Sequence, residues 1–120
     1  MRFTFTFILL SLLVVGCGNR DAKMREQILG SWNDGTITYL PDGSWHFKNQ
    51  GVVSNVTLKW ASDGTWDVKD GILIITTTNS TSENTTERPL VGRIDRNTIT
   101  FLDAHNLCYT NERYGFAYHR

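Results

Sequence analysis

The chain has 120 residues, with 12 Lys+Arg against 12 Asp+Glu, 2 Cys and 2 Pro. That length makes one domain at most, since domains usually run to roughly 100–150 residues. The balanced charge excludes binding driven by phosphate neutralisation, and two cysteines exclude a disulfide-dense scaffold and a four-cysteine zinc site.

The N-terminus comes first. Met1-Arg2 is followed by Phe3 to Val15, a run of 13 residues with ten apolar side chains, broken by Thr4, Thr6 and Ser11. A membrane-spanning helix needs about 20 residues. A shorter run behind a positive residue reads as the core of a secretory signal. It ends in Val14-Val15-Gly16-Cys17, with small Gly16 where a signal peptidase tolerates little bulk. These four residues resemble the lipobox of bacterial lipoproteins. The resemblance implies cleavage before Cys17, lipidation of its sulfur and a place in the cell envelope. Gly18 in place of Asp favours the outer membrane in a Gram-negative organism. Each buried CH₂ contributes about 0.8 kcal/mol, so two or three acyl chains anchor stably. An ordinary secreted protein with an incidental Cys17 is the alternative.

On this reading residues 1–16 are a signal, 17–24 a lipidated tether and 25–120 the domain. The mature chain has 11 basic and 12 acidic residues, and Cys108 is its lone free thiol. Set between Leu107 and Tyr109, that thiol reads as buried and inert.

Asp21 to Leu29 predicts one or two helical turns, with Asp21 as cap, Met24, Ile28 and Leu29 on one face, and Gly30 as the stop. Asp-Gly then recurs at 34–35, 42–43, 63–64 and 70–71, each reading as a tight turn. Apolar residues alternate in between. Trp45 and Phe47 share a face, as do Val52, Val56, Leu58 and Trp60; Trp66 and Val68; and Ile99 and Phe101. Period two means half-buried strands. Candidate strands cover 36–40, 44–48, 52–61, 65–68, 72–78, 85–94, 98–102, 107–111 and 113–118. Ile72 to Ile75 is continuously apolar and reads as central. Thr76 to Thr86 holds only Thr, Asn, Ser and Glu and reads as a long exposed hairpin tip. Pro89 places its strand at an edge or a bulge. Leu40-Pro-Asp-Gly-Ser-Trp45 and Ala61-Ser-Asp-Gly-Thr-Trp66 repeat at a spacing of 21 and read as two hairpins built alike. Short antiparallel strands between turns make an all-β barrel, flattened barrel or sandwich of about eight strands behind a short helix.

Gly30-Ser31-Trp32 after the helix, Asp42-Gly43-Ser44-Trp45, and Gly64-Thr65-Trp66 followed by a turn and Ile72-Leu73-Ile74 together resemble the small lipocalin-like domains of the calycin superfamily. The resemblance covers roughly residues 26–120. It implies an up-and-down barrel closed at one end by Gly30 and Trp32, with an arginine from late in the chain over the indole. Arg113 and Arg120 are the candidates, and Arg113 is preferred because it follows the last confident strand. A guanidinium over an indole is a favourable cation–π pair.

No catalytic constellation is present in the sequence: no His-Glu-x-x-His, no Gly-x-Ser-x-Gly and no phosphate-binding glycine loop. Four of the eight Asp precede Gly and read as turn residues. His46, His105 and His119 lack ligand spacing, and Asp103 with His105 reads as a solvated loop pair before a metal site. No cofactor and no nucleic-acid partner are expected. Trp45, Phe47, Trp60, Trp66, Phe101 and Tyr109 point inward, as core or as the lining of an apolar cup. Two functions follow as expectations. One is a lipid-anchored envelope module, not an enzyme, that binds a small apolar or amphipathic ligand. The other is a structural or protein-interaction lipoprotein with a filled core. Cys17→Ser should abolish lipid labelling and leave the precursor unprocessed on a gel. Normal maturation of that variant would remove the lipoprotein reading.

Overall fold

The structure is a computed structural model that describes residues 20–84 and 90–120. The signal at 1–16, Cys17 and Pro89 lie outside the described residues. A helix, α1 (residues 20–28), precedes eight strands. They are β1 (Gly30–Trp32), β2 (Ile37–Tyr39), β3 (Ser44–Val53), β4 (Val56–Lys69), β5 (Ile72–Glu83), β6 (Ile94–Leu102), β7 (Asn106–Thr110) and β8 (Gly115–His119). Each pairs antiparallel with the next, in the order β1 to β8. The fold is therefore the all-β, up-and-down sheet that the alternation predicts, curled into a nearly closed barrel. At the seam, Asn33 N–H donates to the His119 carbonyl at 2.7 Å, and His119 N–H donates to Asn33 Oδ1 at 2.9 Å.

Three of the Asp-Gly pairs lie in turns. At Asp70-Gly71 both φ angles are positive, 53° and 75°, as a two-residue hairpin turn requires. Asp63-Gly64 is different, because it lies inside β4. A Cβ on Gly64 would fall 1.7 Å from the Thr76 carbonyl oxygen. This glycine therefore serves a close approach of backbones, not a reversal. The chain instead reverses at Ser54-Asn55, where both φ angles are positive (51° and 65°). The segments 52–61 and 65–68 are thus largely one strand, β3 runs on to Val53, and the two look-alike segments are not two hairpins built alike.

Two β-bulges shift which residues face inward. In β5, Thr77 pairs with Gly64 and Asn79 with Asp63, leaving Thr78 unmatched. In β6, Ile99 pairs with Tyr109 but Phe101 with Cys108, leaving Thr100 unmatched. An extra residue moves everything beyond it to the other face. Phe101 consequently turns outward and is 54% exposed. Leu102, opposite the fully buried Leu107, takes the inner place. Within the Thr76–Thr86 stretch, residues 76–83 are strand and not tip, since β5 continues to Glu83 with Thr77 and Ser80 buried; Thr85 and Thr86 lie outside the described residues. Short hydroxyl side chains suit strand backbone and fit the narrow inner face, where Ser62 Oγ and Ser80 Oγ lie 3.3 Å apart. Of the strand expected at 85–94, residues 85–89 lie outside the described residues and 90–93 form a turn, while the strand expected at 98–102 begins earlier, as β6 from Ile94.

The core fills the barrel with Ile28, Trp32, Ile37, Tyr39, Trp45, Trp66, Val68, Leu73, Ile75, Leu107 and Tyr109. Helix α1 covers one end. Its Asp21 carboxylate accepts the N–H groups of Asp70 and Gly71 at 3.0 and 3.3 Å, and chiefly the Asp70 bond holds its pKa below the usual carboxylate value. Arg25 donates to Asp67 at 2.6 Å and to the Val68 carbonyl at 2.7 Å. Residues 20–24, read as tether, thus begin the folded unit.

Beside α1, Trp32 is fully buried and its Nε1–H donates to the Ile28 carbonyl at 2.9 Å. The guanidinium over it belongs to Arg120, 3.9 Å from the ring centroid, and not to Arg113. Arg120 also donates to the carbonyls of Leu29, Gln27 and Ala104 at 2.6, 2.7 and 2.9 Å. Gly30 leaves space for it, since a Cβ there would meet Arg120 Nη1 at 3.3 Å. Arg113 sits exposed in the β7–β8 turn, its N–H on Asn111 Oδ1. Successive turns alternate between barrel ends, so a residue before β8 is at the wrong end and one after it is at the right one. Arg120→Ala should lower stability by roughly 1–2 kcal/mol, the scale of a desolvated cation–π pair. Arg113→Ala should stay within about 0.5 kcal/mol of wild type. Urea melts check both, and equal effects would refute the assignment.

Candidate functional site at the open end of the barrel

The meander places the turns at 40–43, 70–71 and 103–105 at the end covered by α1, and those at 33–36, 54–55 and 111–114 at the other. At that end, which no described helix covers, three strands outrun their neighbours. β2 pairs with β3 only over Trp45–Phe47, and β6 with β5 only over Ile72–Thr76. β3 and β4 remain paired to Val53 and Val56, and β4 and β5 to Lys59 and Glu83. Residues 49–60 and 79–83 therefore form a three-stranded extension. Its tip exposes Val52 (70%), Val53 (60%) and Val56. Val52 does not share a face with Leu58 and Trp60, because it pairs with Thr57 across the new turn.

At the root of the extension lies a cleft of about 720 Å³, lined by residues 34–36 of the β1–β2 turn, 48–50 of β3, 59–61 of β4 and 81–83 of β5. The register explains the grouping. Asn49, Trp60 and Ser82 oppose one another across three strands, flanked by the rows Lys48, Ala61, Thr81 and Gln50, Lys59, Glu83. The turn is held against β3 by Lys48 N–H donating to the Thr36 carbonyl at 2.9 Å. Four charged residues line the cleft, Asp34, Lys48, Lys59 and Glu83, and none makes an ion pair with another described residue.

Of the six aromatic residues expected to point inward, Trp60 alone reaches this cleft. Trp45, Trp66 and Tyr109 belong to the core, Phe47 is packed against it and stacks on Trp45 with centroids 6.3 Å apart, and Phe101 is outside. Trp66 Nε1–H donates to the Leu40 carbonyl at 3.0 Å, whereas Trp60 makes no such bond with a described residue. Sequence reading missed the charged and amide lining because it took 76–86 for a tip and ended β3 at Lys48. The usable signal was Ser54-Asn55, two residues suited to a turn between alternating runs.

The remaining chemistry-bearing groups are dispersed. His46 Nδ1 pairs with Asp63, its register partner on the outer face, and not with Asp42, whose carboxylate accepts Ser44 N–H at 2.8 Å. Asp103 accepts the N–H groups of His105 and Asn106, both at 2.8 Å, as a turn residue does. Among the described residues no three of His, Cys, Asp or Glu gather around a point. Cys108 is half-buried, not buried, because it shares the outer face with Phe101. Comparison with family models, curated proteins and solved structures finds no match for this chain.

Below the cleft, Tyr39 and Trp66 meet edge to face at 5.3 Å, and Tyr109 and Tyr118 lie 5.5 Å apart. The Tyr39 hydroxyl and Trp45 Nε1 are buried without a hydrogen-bond partner of good geometry among the described residues. Burial raises the pKa of Tyr39, Tyr109 and Tyr118 above the ordinary tyrosine value. The folded state therefore keeps phenol protons that the unfolded chain loses near pH 10, roughly. This stabilisation is whole below that pH and is lost as pH rises above it. The phenolate absorbance of these three tyrosines should increase together with the loss of circular dichroism. Ionisation of all four tyrosines near pH 10, with the fold intact, would contradict this.

Proposed function

We propose that this chain is a lipid-anchored protein of the cell envelope whose barrel holds a small amphipathic ligand at its open end. The observation that carries the ligand reading is the cleft of about 720 Å³ at the root of the extension. Its volume lies within the roughly 300–1,000 Å³ of small-molecule sites, and it combines one large aromatic with polar side chains. The filled core supports a site at the mouth over one within the barrel. The anchor reading rests on Phe3–Val15 and Gly16-Cys17. The proposed partners are a membrane, through lipid on Cys17, and the ligand. The outer membrane is the favoured location in a Gram-negative organism.

A second reading, a protein-interaction lipoprotein without a ligand, is favoured by the exposed valines at the tip of the extension. Its β3 edge beyond Lys48 also lacks a neighbouring strand among the described residues. Native mass spectrometry of the protein purified from its own host separates the two. The ligand reading expects an added mass of a few hundred daltons, of order, for a pocket this size, lost in Trp60→Ala. Bare chain mass in both proteins would leave the interaction reading.

A further inference from the structure

We infer that the cleft takes a neutral glycan, a chain of pyranose rings stacked on Trp60. This inference rests on the reading of the cleft as a binding site and names its ligand class. The first observation is what Trp60 does not do. The other three tryptophans, Trp32, Trp45 and Trp66, belong to the buried core, whereas Trp60 is half-buried and outside the core cluster and the residues packed on it. A large indole with no part in the core is available for recognition.

The second observation is the company it keeps. Apart from Trp60, the apolar residue in the lining is Ala61, whose side chain the register sets on the opposite face of β4. A fatty chain needs continuous apolar walls, which this cleft lacks. Instead the register sets an amide, Asn49, and a hydroxyl, Ser82, on the sheet face that carries the indole, with Thr36 of the turn also in the lining. Asn49 Oδ1 already accepts Gln50 N–H at 2.9 Å, which leaves its amide protons to donate. A pyranose matches this pattern. Its axial C–H groups form an apolar face for an indole, and its rim carries hydroxyls that both donate and accept.

Charge and size narrow the class. Lys48, Lys59 and Glu83 stand in rows that face away from Trp60, so the three strands place no charge beside the indole, which disfavours a strongly anionic or cationic ligand. The cleft crosses four chain segments, the turn and three strands. At about 4.8 Å per strand spacing that is about 14 Å, room for roughly two or three sugar rings.

The test uses the full chain in a detergent that contains no sugar, titrated with chitotriose, cellotriose and the apolar fluorophore 1-aminoanthracene. Calorimetry is run on the wild type, Trp60→Ala and Trp60→Tyr, with circular dichroism melts to verify folding. A trisaccharide should bind the wild type, bind Trp60→Ala at least tenfold more weakly, and recover part of that loss in Trp60→Tyr. Binding of chitotriose alone would add an acetamido requirement to the supported class. Saturable 1-aminoanthracene binding that depends on Trp60, with neither trisaccharide bound, would overturn the glycan and leave the small-ligand reading standing. Trisaccharide binding unchanged in a folded Trp60→Ala would overturn this location. No binding of any probe would overturn both.

Discussion

The barrel depends on one side chain near the end of the sequence. Arg120 lies over the Trp32 ring while its guanidinium donates to the carbonyls of Gln27, Leu29 and Ala104. Those acceptors belong to α1, to the link into β1 and to the β6–β7 turn. One planar cation thus joins both ends of the meander and meets carbonyls that would otherwise end unpaired beside a fully buried indole. β1 and β8 contribute few backbone bonds to each other, so this contact does the work of a missing ladder. The rest of the closed end is arranged around it: Gly30 clears its path, Ile28 receives the indole proton, and Asn33 fastens the neighbouring strand.

Much of the closed half was legible in the sequence, because there the local rules and the tertiary structure agree. Asp70-Gly71 reads as a turn and is one, and Trp45 with Phe47 reads as one inner face and is one. The helix, the all-β class and the antiparallel order follow from the same signals. The failures share a cause that local pattern cannot express. Gly64 is the same residue in the same dipeptide as the turn glycines, but it is required by the carbonyl of Thr76 on another strand. Phe101 obeys perfect alternation with Ile99 until one unmatched residue, Thr100, reverses the face. Arg113 and Arg120 are equally plausible cations in the sequence, and only the direction of the last strand separates them.

The candidate site was less legible than the fold, for a physical reason. Core residues announce themselves by periodicity, since burial on one face demands it. A cleft between a turn and the root of a sheet extension imposes no period on its lining. Trp60 could be named from the sequence, but its neighbours Lys48, Asn49, Lys59 and Ser82 look like any solvated strand face. Of the aromatics singled out, those that belong to the core are the ones that alternation identified most surely. Trp60, to which the proposed function gives the binding role, is the one that packing does not use.

The extension carries a different implication. It buries no part of the main core, and its three strands are held by their own ladders beyond the reach of β2 and β6. On the proposed reading, recognition and folding are therefore assigned to separable parts of one small chain. Lengthening or shortening β3 and β4 by pairs of residues preserves which side chains face which way. The reach and lining of the mouth can accordingly drift in sequence while Trp32 and Arg120 hold the barrel unchanged. In a domain this small, such a division lets new specificity arise without endangering the fold beneath it.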